Sequence, residues 1–254
     1  HVAATPLLRD DALSARLGQP VLMKCEFAQP TGAFKLRGAT NAVRALGRGA
    51  RGVITASTGN HGRALAHAAR ALGLPATVCL SRLVPGNKVA AIRALGAEIR
   101  VIGDSQDQAM AEVARAVADQ GLTQIPPFDH PDVIAGQGSI GLEIGLRGDW
   151  PEAALVPLSG GGLAAAIAVA LKAISPATRI IGISMENGAA MAASLRAGHP
   201  VAVTEVETLA DSLGGGIGLD NRLTFALCRD LLDGVLLVSE PEIAAAIRHL
   251  GRAG

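Results

Sequence analysis

Ala153-Ala154-Leu155-Val156-Pro157-Leu158-Ser159-Gly160-Gly161-Gly162-Leu163 is the stretch that sets the fold class. Residues 153–158 form a short apolar run, Ser159 to Gly162 make a glycine-rich turn, and Leu163 opens an alanine-rich segment of helical period. A strand that passes through a tight turn into a helix is the building unit of an α/β domain with a mainly parallel sheet. The turn also has a chemical use. Glycines let backbone amides point inward and a helix N-terminus adds the positive end of its dipole, so a phosphate dianion fits there. No Lys-Ser/Thr pair follows the glycines and their spacing is not the dinucleotide fingerprint, so this is not a nucleoside-triphosphate loop. A plain tight turn would use the same residues.

The same rhythm runs through the rest of the chain. Apolar, β-branched runs predict strands over 21–25, 52–56, 76–80, 98–102, 153–158, 180–184 and 234–238. Helical periodicity predicts helices over 39–46, 62–72, 87–95, 106–119, 138–147, 163–173, 189–196, 222–232 and 240–250. The expected fold is therefore α/β and two-lobed, with mainly parallel open sheets flanked by helices. The proline-rich interval Ile125-Pro126-Pro127 to His130-Pro131 suggests that 41–135 is an inserted small domain, while 1–40 and 136–254 form a discontinuous large one.

Composition excludes several classes of function. Twenty-three Lys and Arg nearly balance 22 Asp and Glu, and only 2% of residues are aromatic, so the chain has neither a basic field nor stacking platforms for nucleic acid. Cys25, Cys79 and Cys228 are far apart and odd in number, which fits neither a disulfide framework nor a zinc site and makes a reducing cytoplasm the expected location. No apolar run is long enough to span a bilayer, and no charged-then-apolar leader is seen.

Two further stretches carry chemistry. Ser57-Thr58-Gly59-Asn60-His61-Gly62 repeats the strand-to-helix turn with hydroxyls and an amide, which suits a carboxylate or a phenolic oxygen, or else simply caps a helix. His61 reads as structural, since His67 lies on the same helix without evident purpose. In Cys25 to Gly38, Lys35 stands between Phe34 and Leu36 near a loop-to-helix junction after Thr31-Gly32. Apolar neighbours desolvate an amine, lower its pKa and free it to attack a carbonyl. A lysine so placed, a phosphate cradle and a hydroxyl-amide loop are together what an aldehyde-phosphate cofactor needs.

These residues carry a resemblance. Thr5-Pro6-Leu7-Leu8, Gln29 to Ala39, Ser57 to Gly62, Pro127 to Pro131 with Ile134 to Gly138, and Ser159 to Leu163 resemble, in order, the motifs of the β-family, or fold type II, of pyridoxal-phosphate enzymes. Within it the chain resembles the serine/threonine dehydratase group, which includes serine racemase, and Asp211-Ser-Leu-Gly-Gly-Gly216 resembles the dehydratase of hydroxyectoine breakdown.

The resemblance implies a tryptophan synthase β-like fold, a homodimer, and pyridoxal 5'-phosphate bonded to Lys35 as a Schiff base. It implies that Phe34 packs beside the cofactor ring, Asn60 meets its phenolic oxygen, and Ser159, Gly160, Gly161, Gly162 and Leu163 hold its phosphate, with Gly214 in a loop close by. Ser57, Thr58, Gly59 and His61 would surround the substrate carboxylate. The implied reaction removes water and ammonia from a small β-hydroxy amino acid, such as L-threonine or L-serine, and leaves a 2-keto acid. Lys35, freed from the cofactor, would take the α-proton as catalytic base.

The chain also departs from the family pattern. Ala33 stands where Ser is common. Thr58 stands where racemases carry Ser and many dehydratases carry Ala, so a second catalytic hydroxyl and a racemase outcome stay open, as does β-replacement. Glu186 aligns with the family's cation ligand, but the second carboxylate falls on Ala192, so no metal is expected. The family continues past Leu250 with strands and a Ser, Thr or Cys at the pyridine nitrogen. Nothing here takes that role, which keeps a ligand-binding relative without turnover as a third reading.

Overall fold

The alternation of apolar runs with alanine-rich segments produces parallel sheets flanked by helices, as the sequence predicts. The computed structural model describes residues 2–57 and 59–253, and the chain divides into two units, residues 1–127 and 128–254.

In the first unit, strands β1 (Leu7–Arg9) and β2 (Leu22–Lys24) pair antiparallel around helix α1 (Asp11–Leu17). A 3-10 turn at Glu26–Ala28 leads to α2 (Lys35–Ala45). Then β3 (Val53–Ala56), α3 (Asn60–Ala71), β4 (Ala76–Leu80), α4 (Gly86–Ala94), β5 (Glu98–Val101), α5 (Gln106–Gln120) and β6 (Thr123–Gln124) follow in turn. Their four strands form one parallel sheet in the order β5-β4-β3-β6. Every residue of β3 and β4 is buried, which is why both read as continuous apolar runs rather than alternating ones. Behind them Ile54, Ala56 and Cys79 meet Ala109, Val113 and Ala116 of α5, with Leu122 alongside. With so few aromatics in the chain, these small side chains let the helix lie close to the sheet, and α2 packs on α3.

The second unit contains α6 (Pro131–Gly145), β7 (Ala153–Pro157), α7 (Gly162–Ile174), β8 (Arg179–Met185), α8 (Ala190–Ala197), α9 (Leu223–Leu231), β9 (Gly234–Val238) and α10 (Glu240–Ala253). Its sheet is parallel in the order β7-β8-β9. Val156 and Ile180 face the buried side, while Leu155 and Leu236 on the other side are 66% and 58% exposed.

Four elements depart from the sequence reading. α6 begins at Pro131, not at residue 138, because its run of glycines depresses helix propensity while tertiary packing requires it. A Cβ on Gly141 would lie 2.9 Å from that of Ala170 in α7, so the glycine allows the two helices their contact. The short β1 and α1 were not expected, although Asp10 caps α1 and left-handed Gly18 ends it, both of which are sequence signals. β6 has only two residues, too few to show a period.

Candidate active site

Lys35 is the first residue of α2, and a buried polar network fixes the start of that helix. Arg37, 2% exposed, donates from Nε and from its second terminal nitrogen to the two oxygens of Glu26, both at 2.8 Å. The Thr5 hydroxyl also donates to Glu26, and Gln29 is tied to the backbone of Ala3 at 2.8 and 3.1 Å. A bidentate pair of this kind fixes orientation as well as position. The Thr5-Pro6 motif and the segment ahead of Lys35 are thereby linked, and the Cys25 amide donates to the Pro6 carbonyl at 3.0 Å.

The Lys35 amine is enclosed, although the stem of the side chain is partly exposed, and burial pushes its pKa down to about 8. Nζ donates to the Pro127 carbonyl at 2.6 Å and lies 5.3 Å from the centre of the Phe34 ring. This is a lysine that loses its proton readily and is held in one place.

In the turn from β3 into α3, Gly59 occupies the N-cap position and no side chain caps the helix from there. The Ser57 hydroxyl accepts from the Gly62 amide at 3.3 Å, so it does serve the helix start. Asn60 accepts from Arg63. Gly62 is required by closeness, since a Cβ there would come 2.5 Å from the Ser57 carbonyl oxygen. His61 is buried and its Nε2 lies 2.9 Å from the Ile125 carbonyl. Burial, with the nearby charge of Lys35, pushes its pKa down to about 3, against the opposing effect of the Ile125 bond. Thr58 lies outside the described residues.

The second unit builds the glycine turn. Gly161 is the N-cap of α7, at φ 84, and no side chain caps the helix. A Cβ on Gly160 would come 2.4 Å from the Phe128 ring, and one on Gly161 would come 2.7 Å from Met191 Cε and 3.0 Å from Cys228 Sγ. The turn is thus pressed on one side against α8, α9 and Phe128. Its amides at 160–163 belong to a helix start, where backbone donors have no intrahelical partner. Asp129 supports this wall from behind, because its carboxylate accepts from the amides of Arg222, Leu223 and Thr224 at 2.9, 2.9 and 2.8 Å and fixes the start of α9. Ser159 and Leu163 flank the turn, both partly exposed. Gly214 follows a 3-10 turn over Asp211–Leu213 on an exposed stretch. Glu186 is exposed, and among the described residues no group of three His, Cys, Asp or Glu is arranged to hold a metal.

Phe128, Asp129, Met191, Thr224 and Cys228 were not assigned roles by sequence reasoning. The Phe128-Asp129 pair stood inside a recognised motif, but its partners lie far along the chain, and no periodicity reveals them.

In the first unit an amine is kept ready to lose its proton, and in the second a glycine turn opens a helix; each by itself is a feature that a pyridoxal-phosphate enzyme uses. The whole chain, residues 1–254, matches the family described as pyridoxal-phosphate dependent enzyme, and the chain belongs to that family in its fold type II form.

Within the family it is similar to dehydratases. A putative threonine dehydratase of Sinorhizobium fredii is 59% identical over 253 residues, covering 98% of this chain and 76% of that one. The structure of processed threonine deaminase isoform 2 from Solanum lycopersicum superposes with a TM-score of 0.95 at 39% identity, covering 100% of this chain and 70% of that one. Maize serine racemase gives 0.92 at 34%, covering 98% and 75%. The chain spans between 41% and 61% of the length of other threonine dehydratases and ammonia-lyases that it matches.

Proposed function

We propose that this protein is a pyridoxal-phosphate-dependent lyase that removes water and ammonia from L-threonine or L-serine to give a 2-keto acid. The observation that carries the reading is the Lys35 amine, enclosed and with its pKa brought down to about 8. When bound, the cofactor supplies the electron sink that makes the α-proton of an amino acid acidic. Lys35 is the residue that would bond it and, once free, its Nζ takes the α-proton. Ser159 to Leu163 would hold the phosphate through backbone amides and the α7 dipole, Phe34 and Gly214 would flank the cofactor, and Asn60 would meet its phenolic oxygen. The α3 N-terminus suits the substrate carboxylate, with Ser57, Thr58, Gly59 and His61 around it. His61 would contribute its backbone amide there, since its ring N–H is directed to Ile125.

The lobe division expected from sequence, 41–135 for substrate closure and the remainder for cofactor, is part of this proposal, as are a homodimer and a cytoplasmic location. Three buried free cysteines support a reducing compartment. Among the described residues no helix is long and apolar enough to cross a membrane. Incubation with L-threonine and L-serine, with 2-keto acid measured against D-enantiomer, tests the reading. Keto acid is the expected product. D-serine without keto acid would instead favour racemisation, the alternative that the likeness to maize serine racemase supports.

A further inference from the structure

The imidazole of His61 has no part in the chemistry above, yet it is 3% exposed and bonded to one particular carbonyl. A carbonyl oxygen only accepts, so Nε2 carries the ring proton, donates it to Ile125 at 2.9 Å, and leaves Nδ1 with a lone pair and no protein partner. Two residues along, the Pro127 carbonyl receives the Lys35 amine at 2.6 Å. The segment between is unusually stiff. Ile125 is fully buried and continues the line of β6, its amide donating to the Ile54 carbonyl at 3.0 Å. Pro126 and Pro127 have fixed φ and hold the residues before them extended. In extended backbone, groups two residues apart point the same way. Two side chains from the starts of the packed helices α2 and α3 therefore land on one rigid strap.

We propose that His61 is a positioning residue for Lys35: its hydrogen bond holds the Ile125 carbonyl, and the two prolines carry that constraint to the Pro127 carbonyl on which the amine rests. The inference rests on Lys35 being the cofactor-bonding amine and adds a residue that sets where that amine waits. Lys35 is the charged group that acts on His61. A neutral ring keeps the donor constant across the working pH range, which a fixed strut requires.

The test compares His61→Gln, whose amide can still donate to Ile125, with His61→Leu, which cannot. The full chain is freed of cofactor, pyridoxal phosphate is added, and the rate at which its visible band shifts on bonding to the amine is followed against pH. With the strap slack the amine becomes better solvated, so His61→Leu raises the pH midpoint of capture by about one unit and slows capture at neutral pH about tenfold. His61→Gln retains the parental midpoint. Should His61→Leu not fold, His61→Met fills the volume without a donor and carries the same expectation. An unchanged midpoint in the donor-less variant, or a shift in His61→Gln equal to that in His61→Leu, overturns the proposal. Borohydride reduction of the loaded parent and mapping of the modified lysine separates the two readings. Modification at Lys24, Lys88 or Lys172 would sink the Lys35 assignment itself, whereas modification at Lys35 with no effect of His61→Leu would sink only the positioning role.

Discussion

The two strand-to-helix turns, 57–62 after β3 and 159–162 after β7, share a topology and differ in what they offer. The first presents side chains: the Ser57 hydroxyl on the Gly62 amide, Asn60 on Arg63, and His61 on Ile125. The second, after Ser159, consists of glycines alone, pressed against Phe128, Met191 and Cys228. A turn made of backbone binds by shape and dipole and suits a group that never changes, such as a phosphate. A turn made of side chains suits a ligand that must be told apart from others. Mutations in the two turns should therefore separate, with 159–162 affecting cofactor retention and 57–62 affecting substrate.

Lys35 belongs to neither turn, and losing it should erase the distinction. Lys35→Ala is expected to abolish the visible band of the bonded cofactor and to lower keto-acid formation by at least about 10³-fold, within the range of positioned acid–base groups. Absorbance and product assay check both. A variant that keeps the phosphate cradle should still bind the cofactor without bonding it, detectable by equilibrium dialysis.

The lowered pKa of Lys35 gives a pH signature. In the cofactor-free chain the capture rate should rise with pH and level off above about 8, whereas an ordinary lysine would continue toward 10.5. The linkage has a definite sign. Between those two values the unfolded chain holds a proton that the folded chain has released, so this group makes stability rise with pH across that window. Below about 8 the full cost of burying the charge is present. Denaturant titrations at pH 7 and pH 9.5, on parent and Lys35→Met, isolate this contribution.

Gly161→Ala tests the backbone turn. Its φ of 84 is in the left-handed region and the added methyl would meet Met191, so a cost of about 1–2 kcal/mol from backbone alone is expected. Cofactor affinity should weaken about tenfold or more, while KM for the amino acid at saturating cofactor changes little. Equal changes in both would break the contrast between the turns.

The fold was legible because its signals are local. β4 and β9 fall where their apolar runs predict them, and Lys35, Asn60, His61 and Ser159 to Gly162 stand at helix starts as read. Pairwise partners over long separations were not legible. Nothing in the sequence couples Asp129 to Arg222, or Lys35 to a proline carbonyl 92 residues away. α6 was under-read for a related reason, since its glycines lower propensity where the packed partner α7 demands them.

Asp129→Asn probes one of those hidden couplings. It keeps the shape but removes the charge facing the start of α9, and a loss of about 1 kcal/mol of stability is expected. Because α9 contributes Thr224 and Cys228 behind Gly161, cofactor retention should fall slightly in parallel. Thermal melts with and without cofactor read both effects.

Ser57→Ala should have the smallest effect and is the most diagnostic of the side-chain turn. Its hydroxyl accepts from the Gly62 amide at 3.3 Å, a long bond, so its removal costs about 0.5–1 kcal/mol and a threefold to fivefold change at most. If the turn faces substrate, that change falls on KM for threonine or serine and leaves cofactor affinity untouched. If Ser57 only caps α3, the same loss appears in the melting temperature while KM stays at the parental value. Gly62 cannot serve as the probe, because a methyl there would strike the Ser57 carbonyl at 2.5 Å and shift the whole turn. Ser57→Thr completes the comparison, since it retains the acceptor and should restore both quantities if the hydroxyl alone is responsible.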